Sequence, residues 1–123
     1  MRVGAISLAL LIGLASGCGP GRAEVYSDPE QTINVRVNRQ FVIALESNPT
    51  TGYRWEVEFD HSLLELVESK FVPAGPGHVI GAGGEERFTF RALGPGETLL
   101  TLTYRRPWEE KPVAEKVFAV NIK

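Results

Sequence analysis

Short runs of alternating apolar and polar residues, separated by turn-forming residues, constrain the fold of this chain more than any other feature. Residues 87–92 alternate in this way, and Phe118, Val120 and Ile122 share one face of a similar run. A period of two places every second side chain on one face of a β-strand, whereas no long stretch follows the 3.6-residue period of a helix. The pattern therefore predicts an all-β protein.

Seven segments of this kind occur between turn signals, which is typical of an immunoglobulin-like antiparallel β-sandwich. The single cysteine excludes the Cys…Trp…Cys framework of a true immunoglobulin domain. Asp60 and Ser62 predict the cap of one helical turn through Leu64. The predicted strands are residues 33–37, 41–45, 53–59, 66–72, 87–92, 99–104 and 114–122.

The start of the chain has the composition of an export signal. Met1 and Arg2 form a short positive segment, residues 3–14 are apolar, and Ala15-Ser16-Gly17 fits a cleavage site. The segment is too short to span a membrane as a helix. We therefore expect residues 1–17 to be a signal peptide of the lipoprotein type.

Cys18 directly follows this signal, and residues 14–18 resemble a bacterial lipobox. We expect Cys18 to be lipidated, with plain secretory cleavage after Gly17 as the alternative. Residues 18–29 would then form a flexible tether and residues 30–123 the folded domain. The expected location is the bacterial cell envelope, facing the periplasm or anchored to the outer membrane, or the exterior if Cys18 is not lipidated.

The segment Asn48-Pro49-Thr50-Thr51-Gly52-Tyr53 joins the second and third predicted strands. Pro49 fixes its own φ and restricts Asn48, the two threonines are stiff at χ1, and Gly52 accepts a positive φ. This composition predicts a rigid tip that enters the cleft of another protein. An ordinary proline-containing turn is the alternative reading of the hexapeptide alone.

Two further loops carry unusual residues. Residues 73–84 form a predicted loop that contains Gly81-Ala82-Gly83-Gly84, whose backbone groups could pair with an extended partner; a flexible linker is the alternative. Arg106-Pro107-Trp108 follows the sixth strand, where Pro107 holds Arg106 extended and presents Trp108. The alternative for Trp108 is a core residue at a strand end.

In a sandwich of this topology, the loops after the second, fourth and sixth strands lie at the same end. Together the three segments resemble the signature loops of the chagasin family of cysteine-protease inhibitors. The resemblance spans about residues 31–123 and implies an immunoglobulin-like fold with reversible inhibition of papain-like (clan CA) peptidases. It also implies that the tip, near Thr51, covers the catalytic cysteine of the peptidase, that Gly81 to Gly84 lie along the substrate side, and that Trp108 packs beside the catalytic histidine.

The remaining composition argues against other functions. A formal net charge of −2 disfavours nucleic-acid binding. His61 and His78 are too few for a convincing zinc site, and neither lies in a nucleophile motif, so we expect no enzyme, metal, cofactor or small-molecule substrate. The carboxylate pairs 85–86 and 109–110 read as exposed strand-end charges. The rival hypothesis is a cell-envelope adhesion or assembly module of the same fold without inhibitory activity.

Overall fold

The computed structural model describes residues 23–75 and 83–123, and these form two four-stranded sheets packed face to face. One sheet has the order β1-β3-β6-β5 and the other β2-β8-β7-β4. This arrangement confirms the predicted all-β sandwich. The strands are β1 Glu24–Tyr26, β2 Ile33–Val35, β3 Gln40–Ser47, β4 Arg54–Glu58, β5 Leu64–Pro73, β6 Gly84–Ala92, β7 Gly96–Arg105 and β8 Ala114–Ile122.

The core lies between the two sheets and is built from the residues that alternate along the strands. Phe41 and Phe90 stack with ring centroids 5.5 Å apart, and Phe118 is fully buried on the facing sheet. Each such side chain stabilises the fold by about 1.5–3 kcal/mol on burial. The other fully buried large side chains are Ile33, Ile43, Leu64, Leu100, Leu102 and Val120.

Residues 24–26 differ from the prediction, because they form strand β1 and do not belong to a flexible tether. β1 pairs with β3 in parallel, and Tyr26 is buried with its ring edge-on to Phe41, 6.4 Å between centroids. Burial raises the pKa of Tyr26, and the neighbouring Glu24 carboxylate adds to the shift. A three-residue strand is too short to show a period in the sequence.

The sandwich is also not purely antiparallel. β2 pairs with β8 in parallel, as β1 does with β3, while the remaining strand pairs are antiparallel. Alternation indicates which face of a strand is buried, but it carries no information about strand direction. Both parallel pairs involve the short first strands of their sheets, so the departure is confined to two edges.

The single turn predicted after Asp60 is present: Asp60 caps it, and it closes at Leu64, where β5 begins. Asp60 Oδ1 accepts hydrogen bonds from the Ser62 N–H at 2.9 Å and the Ser62 hydroxyl at 2.6 Å. These bonds lower the pKa of Asp60. The Leu64 N–H donates to the Asp60 carbonyl at 3.0 Å, and Leu64 already pairs with Ala92 in the sheet. Sheet pairing therefore ends the turn at Leu64.

Strand β5 extends to the base of the following loop and lies at the edge of its sheet. Pro73, predicted to begin the loop, pairs with Gly84, and the Ala74 N–H donates to the Gly83 carbonyl at 3.0 Å. The pairing register shifts between Leu66 and Glu68. Apart from Leu64, every residue of β5 is exposed, which explains why its sequence shows so little alternation.

Candidate functional site

The structure brings the described parts of the three predicted loops to one end of the sandwich. Gly52 of the tip lies against the side chains of Trp108 and Arg106, and Gly83 lies against the backbone of Ser47 and the side chain of Asn48. The tip is therefore flanked by a segment of each other loop. Gly81 and Ala82 lie outside the described residues.

The tip is a single turn of 3₁₀ helix, Pro49–Thr51, closed by its own polar side chains. Asn48 Oδ1 accepts hydrogen bonds from the Thr50 N–H at 3.2 Å and the Thr50 hydroxyl at 2.6 Å. The Thr51 hydroxyl donates to the Asn48 carbonyl at 2.7 Å, and the Thr51 N–H donates to the same carbonyl at 3.1 Å. Both threonine hydroxyls thus hold the turn together, although both residues are exposed.

Gly52 ends this turn in the left-handed conformation, at φ 89° and ψ −7°. Its N–H donates to the Pro49 carbonyl at 3.0 Å, which closes the last turn of the 3₁₀ helix. A residue with a Cβ atom is strained in this conformation, so the turn requires glycine here. The chain then enters β4 through Tyr53, whose N–H contacts the Thr51 hydroxyl at 3.4 Å.

A continuous stack of side chains connects the core to the tip and to Trp108. The buried ring of Trp55 packs on Tyr104 at 4.7 Å, and Tyr104 stacks on Tyr53 at 5.2 Å. The Arg106 guanidinium lies 4.3 Å above the Tyr53 ring and 5.7 Å from the Trp108 ring. Planar groups in such contacts attract each other beyond their buried area. The stack therefore fixes one loop relative to the next.

Arg106 is also bonded to the tip through its charge. Its Nη2 donates to the Tyr53 hydroxyl oxygen at 2.9 Å, and this hydrogen bond raises the pKa of Arg106 above its ordinary value. The guanidinium is therefore charged at every physiological pH. Its Nε lies 3.7 Å from Glu109 Oε1, so the same side chain links the tip to the far end of its own loop.

The segment that carries Trp108 is a β-turn with Pro107 at its second position. The Glu109 N–H donates to the Arg106 carbonyl at 3.0 Å, and Arg105 Nη1 donates to the Glu109 carbonyl at 2.7 Å. Among the described residues other than glycine, only Asn38 has a positive φ, so Trp108 has the backbone of a type I turn. Proline at the second position is favoured in this turn because its φ is already correct.

Trp108 is exposed over 69% of its surface, the largest exposure among the large apolar side chains of the described residues. The alternative reading of Trp108 as a core residue is therefore wrong. Large exposed aromatic side chains beside a protruding turn are typical of protein interfaces.

The structure assigns different roles to the two glycines at the end of the third segment. Gly84 pairs with Ser47 on one side and with Pro73 on the other, so its backbone already belongs to the sheet. The expectation that Gly84 offers its backbone to a partner strand is wrong for this reason. A Cβ atom at Gly84 would lie 2.8 Å from Phe71 Cζ and would also crowd the backbone of β5. Gly84 is therefore required for close packing.

Gly83 has a positive φ of 78°, and a Cβ atom there would lie 3.2 Å from the Ser47 carbonyl oxygen. It lets the hairpin between β5 and β6 pass close to the base of the tip. Beside it lies an open depression of about 700 Å³, lined by Asn48 of the tip, Pro73 at the end of β5 and Tyr104 among others.

Sequence reasoning did not identify Tyr104 as part of this site. Tyr104 belongs to β7, and its side chain joins the stack between Trp55 and Tyr53. The available signal was its position two residues before Arg106, on the same face of the strand as the buried Leu102. Alternation assigned Tyr104 to the core face, but not to the contact with the tip.

Within residues 23–75 and 83–123, no group of three or more His, Cys, Asp or Glu side chains is arranged to hold a metal ion. His78 lies outside those ranges, and His61 packs its ring on Phe59 at 4.2 Å. Over the same ranges, no helix is long and apolar enough to cross a membrane. The described site consists of the turn at residues 49–51, the exposed indole of Trp108 and the packed stack that joins them to the core.

Comparison with known proteins agrees with this geometry. A family model described as the chagasin family of peptidase inhibitors matches residues 34–122. Chagasin of Trypanosoma cruzi is 34% identical over 97 residues, which cover 75% of this chain and 87% of that protein. Amoebiasin-1 of Entamoeba histolytica is 36% identical over 77 residues, which cover 63% of this chain and 74% of that protein.

Solved structures show the same architecture. The crystal structure of a cysteine protease inhibitor from Entamoeba histolytica has a TM-score of 0.70 and 25% identity, covering 82% of this chain and 96% of that chain. An inhibitor solved in complex with falcipain-2 has a TM-score of 0.59 at 18% identity, covering 89% of this chain and 96% of that chain. At the lower identity, the likeness concerns the fold alone.

Proposed function

The chain belongs to the chagasin family of peptidase inhibitors, and we propose that it blocks papain-like (clan CA) cysteine peptidases reversibly by inserting three loops as a wedge into the active-site cleft. It is a cysteine-protease inhibitor and not an enzyme, as members of this family are. The prediction of its class from the sequence is therefore confirmed. The manner of binding and the residues that make contact are the parts we propose.

The observation that carries the proposed manner of binding is the rigidity of the tip beside an exposed Trp108. The turn is closed by hydrogen bonds from both threonine hydroxyls and ends at a left-handed Gly52. A turn that is ordered before binding loses little conformational entropy when it enters a cleft. A bound segment that keeps its shape also resists being drawn into the extended geometry of a substrate.

We assign the contacts as the family resemblance implies. Asn48 to Gly52 would lie over the catalytic cysteine, with Thr51 nearest to it, and Trp108 would pack beside the catalytic histidine. Gly81 to Gly84 would line the substrate side of the cleft. The close approach of Gly52 to Trp108 supports the first two assignments, because one cleft would meet both at once. In the described part of the third segment, Gly83 lies against the tip at Asn48.

Titration of papain with the purified chain tests the proposal. We expect full inhibition at a stoichiometric amount, recovery of activity on long dilution, and no effect on trypsin, which lacks a catalytic cysteine. The chain should also emerge uncleaved from the complex. If papain retained its activity at micromolar concentrations of the chain, and other papain-like peptidases did so too, the proposed mode of action would be wrong.

The rival hypothesis of an adhesion or assembly module loses its support. It relied on the same three segments having no inhibitory role, whereas the family that matches residues 34–122 consists of peptidase inhibitors. The fold by itself does not separate the two functions, since sandwiches of this kind serve many purposes. Family membership does separate them.

We further propose that the chain is exported and that Cys18 is lipidated. This proposal rests on residues 1–18 alone, which lie outside the described residues. The relatives named above come from Trypanosoma cruzi and Entamoeba histolytica and give no support to a bacterial envelope location. Intact-mass measurement of the native protein decides the matter: an N-terminal Cys18 with added acyl mass is expected, and an unmodified N-terminus would exclude the anchor.

A further inference from the structure

Tyr104 lies beneath the tip and contacts it, although it belongs to none of the three proposed binding segments. Its hydroxyl oxygen accepts a hydrogen bond from the Asn48 N–H at 3.0 Å. Asn48 is the residue that caps the 3₁₀ turn, and its side chain and carbonyl bond to both threonines of the tip. A single hydroxyl group on β7 therefore reaches the residue on which the internal bonds of the turn converge.

The ring of Tyr104 is itself held in place. Its ring centroid lies 4.7 Å from that of the buried Trp55 and 5.2 Å from that of Tyr53. Trp55 Nε1 also donates to the Glu46 carbonyl at 2.9 Å. Tyr104 and Trp55, which belong to one sheet, thus form hydrogen bonds with the backbone of Asn48 and Glu46. Those two residues lie at and just beyond the end of β3, which belongs to the other sheet.

We infer that Tyr104 is a positioning residue for peptidase inhibition: its hydroxyl holds the tip in the binding conformation through the Asn48 amide. Tyr104 lies under the turn and is partly buried, so it acts through Asn48 without needing to touch the peptidase. The inference rests on the proposed function, because it explains how the tip is kept ready to bind. It adds a residue that family motifs in the loops do not contain.

Removing the hydroxyl should change the population of the binding conformation. Tyr104→Phe keeps the ring and its stacking contacts but deletes the hydrogen bond to Asn48. The turn would then spend part of its time in other conformations, and only the competent fraction binds. A hydrogen bond of ordinary net strength changes the ratio of the competent conformation to the others by about three- to tenfold.

The experiment compares the full chain with its Tyr104→Phe variant. We expect the association rate with papain to fall, by up to about three- to tenfold, because only the competent fraction associates. The dissociation rate should change little, because the contacts of the complex are unaltered. Amide hydrogen exchange should become faster by a similar factor at Thr51 and Gly52. Exchange at Leu100 and Leu102 in the core should not change.

Tyr26→Phe is the matched control, since the Tyr26 hydroxyl donates to Glu24 Oε2 at 3.3 Å, in β1 of the other sheet. It should leave both rate constants and exchange at the tip as in the parent chain. An association rate for Tyr104→Phe equal to that of the parent would overturn the inference. A parallel rise of exchange in the tip and the core would also overturn it, because Tyr104 would then serve only general stability.

The inference and the proposed function fail in different ways. If the parent chain did not inhibit papain at all, the proposed function would be wrong. In that case the exchange measurement would still show whether Tyr104 orders the tip. If the parent inhibits and Tyr104→Phe inhibits equally fast, the function stands and the positioning role is rejected.

Discussion

The Cη2 atom of Trp108 lies 3.2 Å from the position that a Cβ atom at Gly52 would occupy. This distance is shorter than ordinary van der Waals contact, so a side chain at position 52 would force the indole to shift by a few tenths of an ångström. The φ of 89° at Gly52 disfavours other residues for a separate, local reason, the strain of a side chain in the left-handed conformation. Gly52 therefore determines both the backbone conformation of the turn and the packing of Trp108 against it.

We predict that Gly52→Ala weakens inhibition of papain about tenfold or more and lowers the free energy of unfolding by about 1–2 kcal/mol. The methyl group must displace Trp108, and the backbone is strained. Inhibition constants and urea denaturation measure the two effects.

Gly75→Ala is the matched control for this change. Gly75 also has a positive φ, 76°, but within residues 23–75 and 83–123 no atom lies within 4 Å of the position of its Cβ atom. It should show a similar loss of stability with at most a small change in inhibition. Equal losses of inhibition in the two variants would mean that the contact with Trp108 is irrelevant.

Trp108→Ala should reduce binding to papain by about 2–4 kcal/mol, because a large exposed aromatic side chain at the centre of an interface is the usual hot spot. The thermal midpoint of the free chain should change little, because the indole is mostly exposed. Leu99→Ala is a suitable control, since Leu99 is 60% exposed on β7 and belongs to no proposed loop. A large loss of stability with unchanged affinity would contradict the proposed contact.

Arg106→Lys should weaken inhibition about fivefold, although it preserves the positive charge. A lysine ammonium cannot reproduce the planar stack on Tyr53 together with the hydrogen bond to its hydroxyl. Surface plasmon resonance against an inactive papain would measure the change. Arg91→Lys, which alters a longer ion pair to Glu65 at 3.8 Å, should bind as the parent does. Unchanged binding by Arg106→Lys would show that charge alone suffices.

Several parts of this structure could be predicted from the sequence, because local patterns encode them. Burial of Phe118, Val120 and Ile122 follows from alternation alone, and the tight turn at the tip follows from Pro49 and Gly52. These features depend on residues that are close together in the chain. The three-loop end of the sandwich then follows from strand order.

Other parts depend on contacts between distant residues and could not be predicted in this way. The bond from Tyr104 to Asn48 spans two sheets, and the pairing of Gly84 on both sides depends on the register of β5 and β6. β1 has only three residues, and its place is set by the burial of Tyr26 against Phe41. A pattern along the chain does not contain such information.

Asp60 predicts that the free energy of unfolding of the domain decreases at acidic pH. Hydrogen bonds from Ser62 lower the pKa of Asp60 in the folded state, so its contribution is fully present above the pKa of the unfolded chain. That contribution is lost as the pH falls from about 4 through the folded value. Asp60→Asn should therefore be less stable than the parent at pH 7, with the difference shrinking below pH 4.

Ser62→Ala tests the same contact from the donor side. It removes the hydroxyl that bonds to Asp60 Oδ1 at 2.6 Å. The loss of unfolding free energy at acidic pH should therefore become smaller, as it does in Asp60→Asn. Urea denaturation from pH 2 to pH 7 measures the effect. If both variants lost as much unfolding free energy at acidic pH as the parent, other carboxyl groups would be responsible for the loss.

The parallel pairing of β1 with β3 gives the domain a polarity. Glu24 is level with Phe41, six residues before the end of β3 at Ser47, which places it about 20 Å from the base of the tip. β1 thus starts far from the tip and runs toward it, whereas β8 runs away from the tip, from Ala114 beside Tyr104 to Ile122 beside Gly96. Both ends of the described domain therefore emerge at the pole opposite the wedge. A support, a fusion partner or a display surface attached at either end would present the tip outward, ready to meet a peptidase.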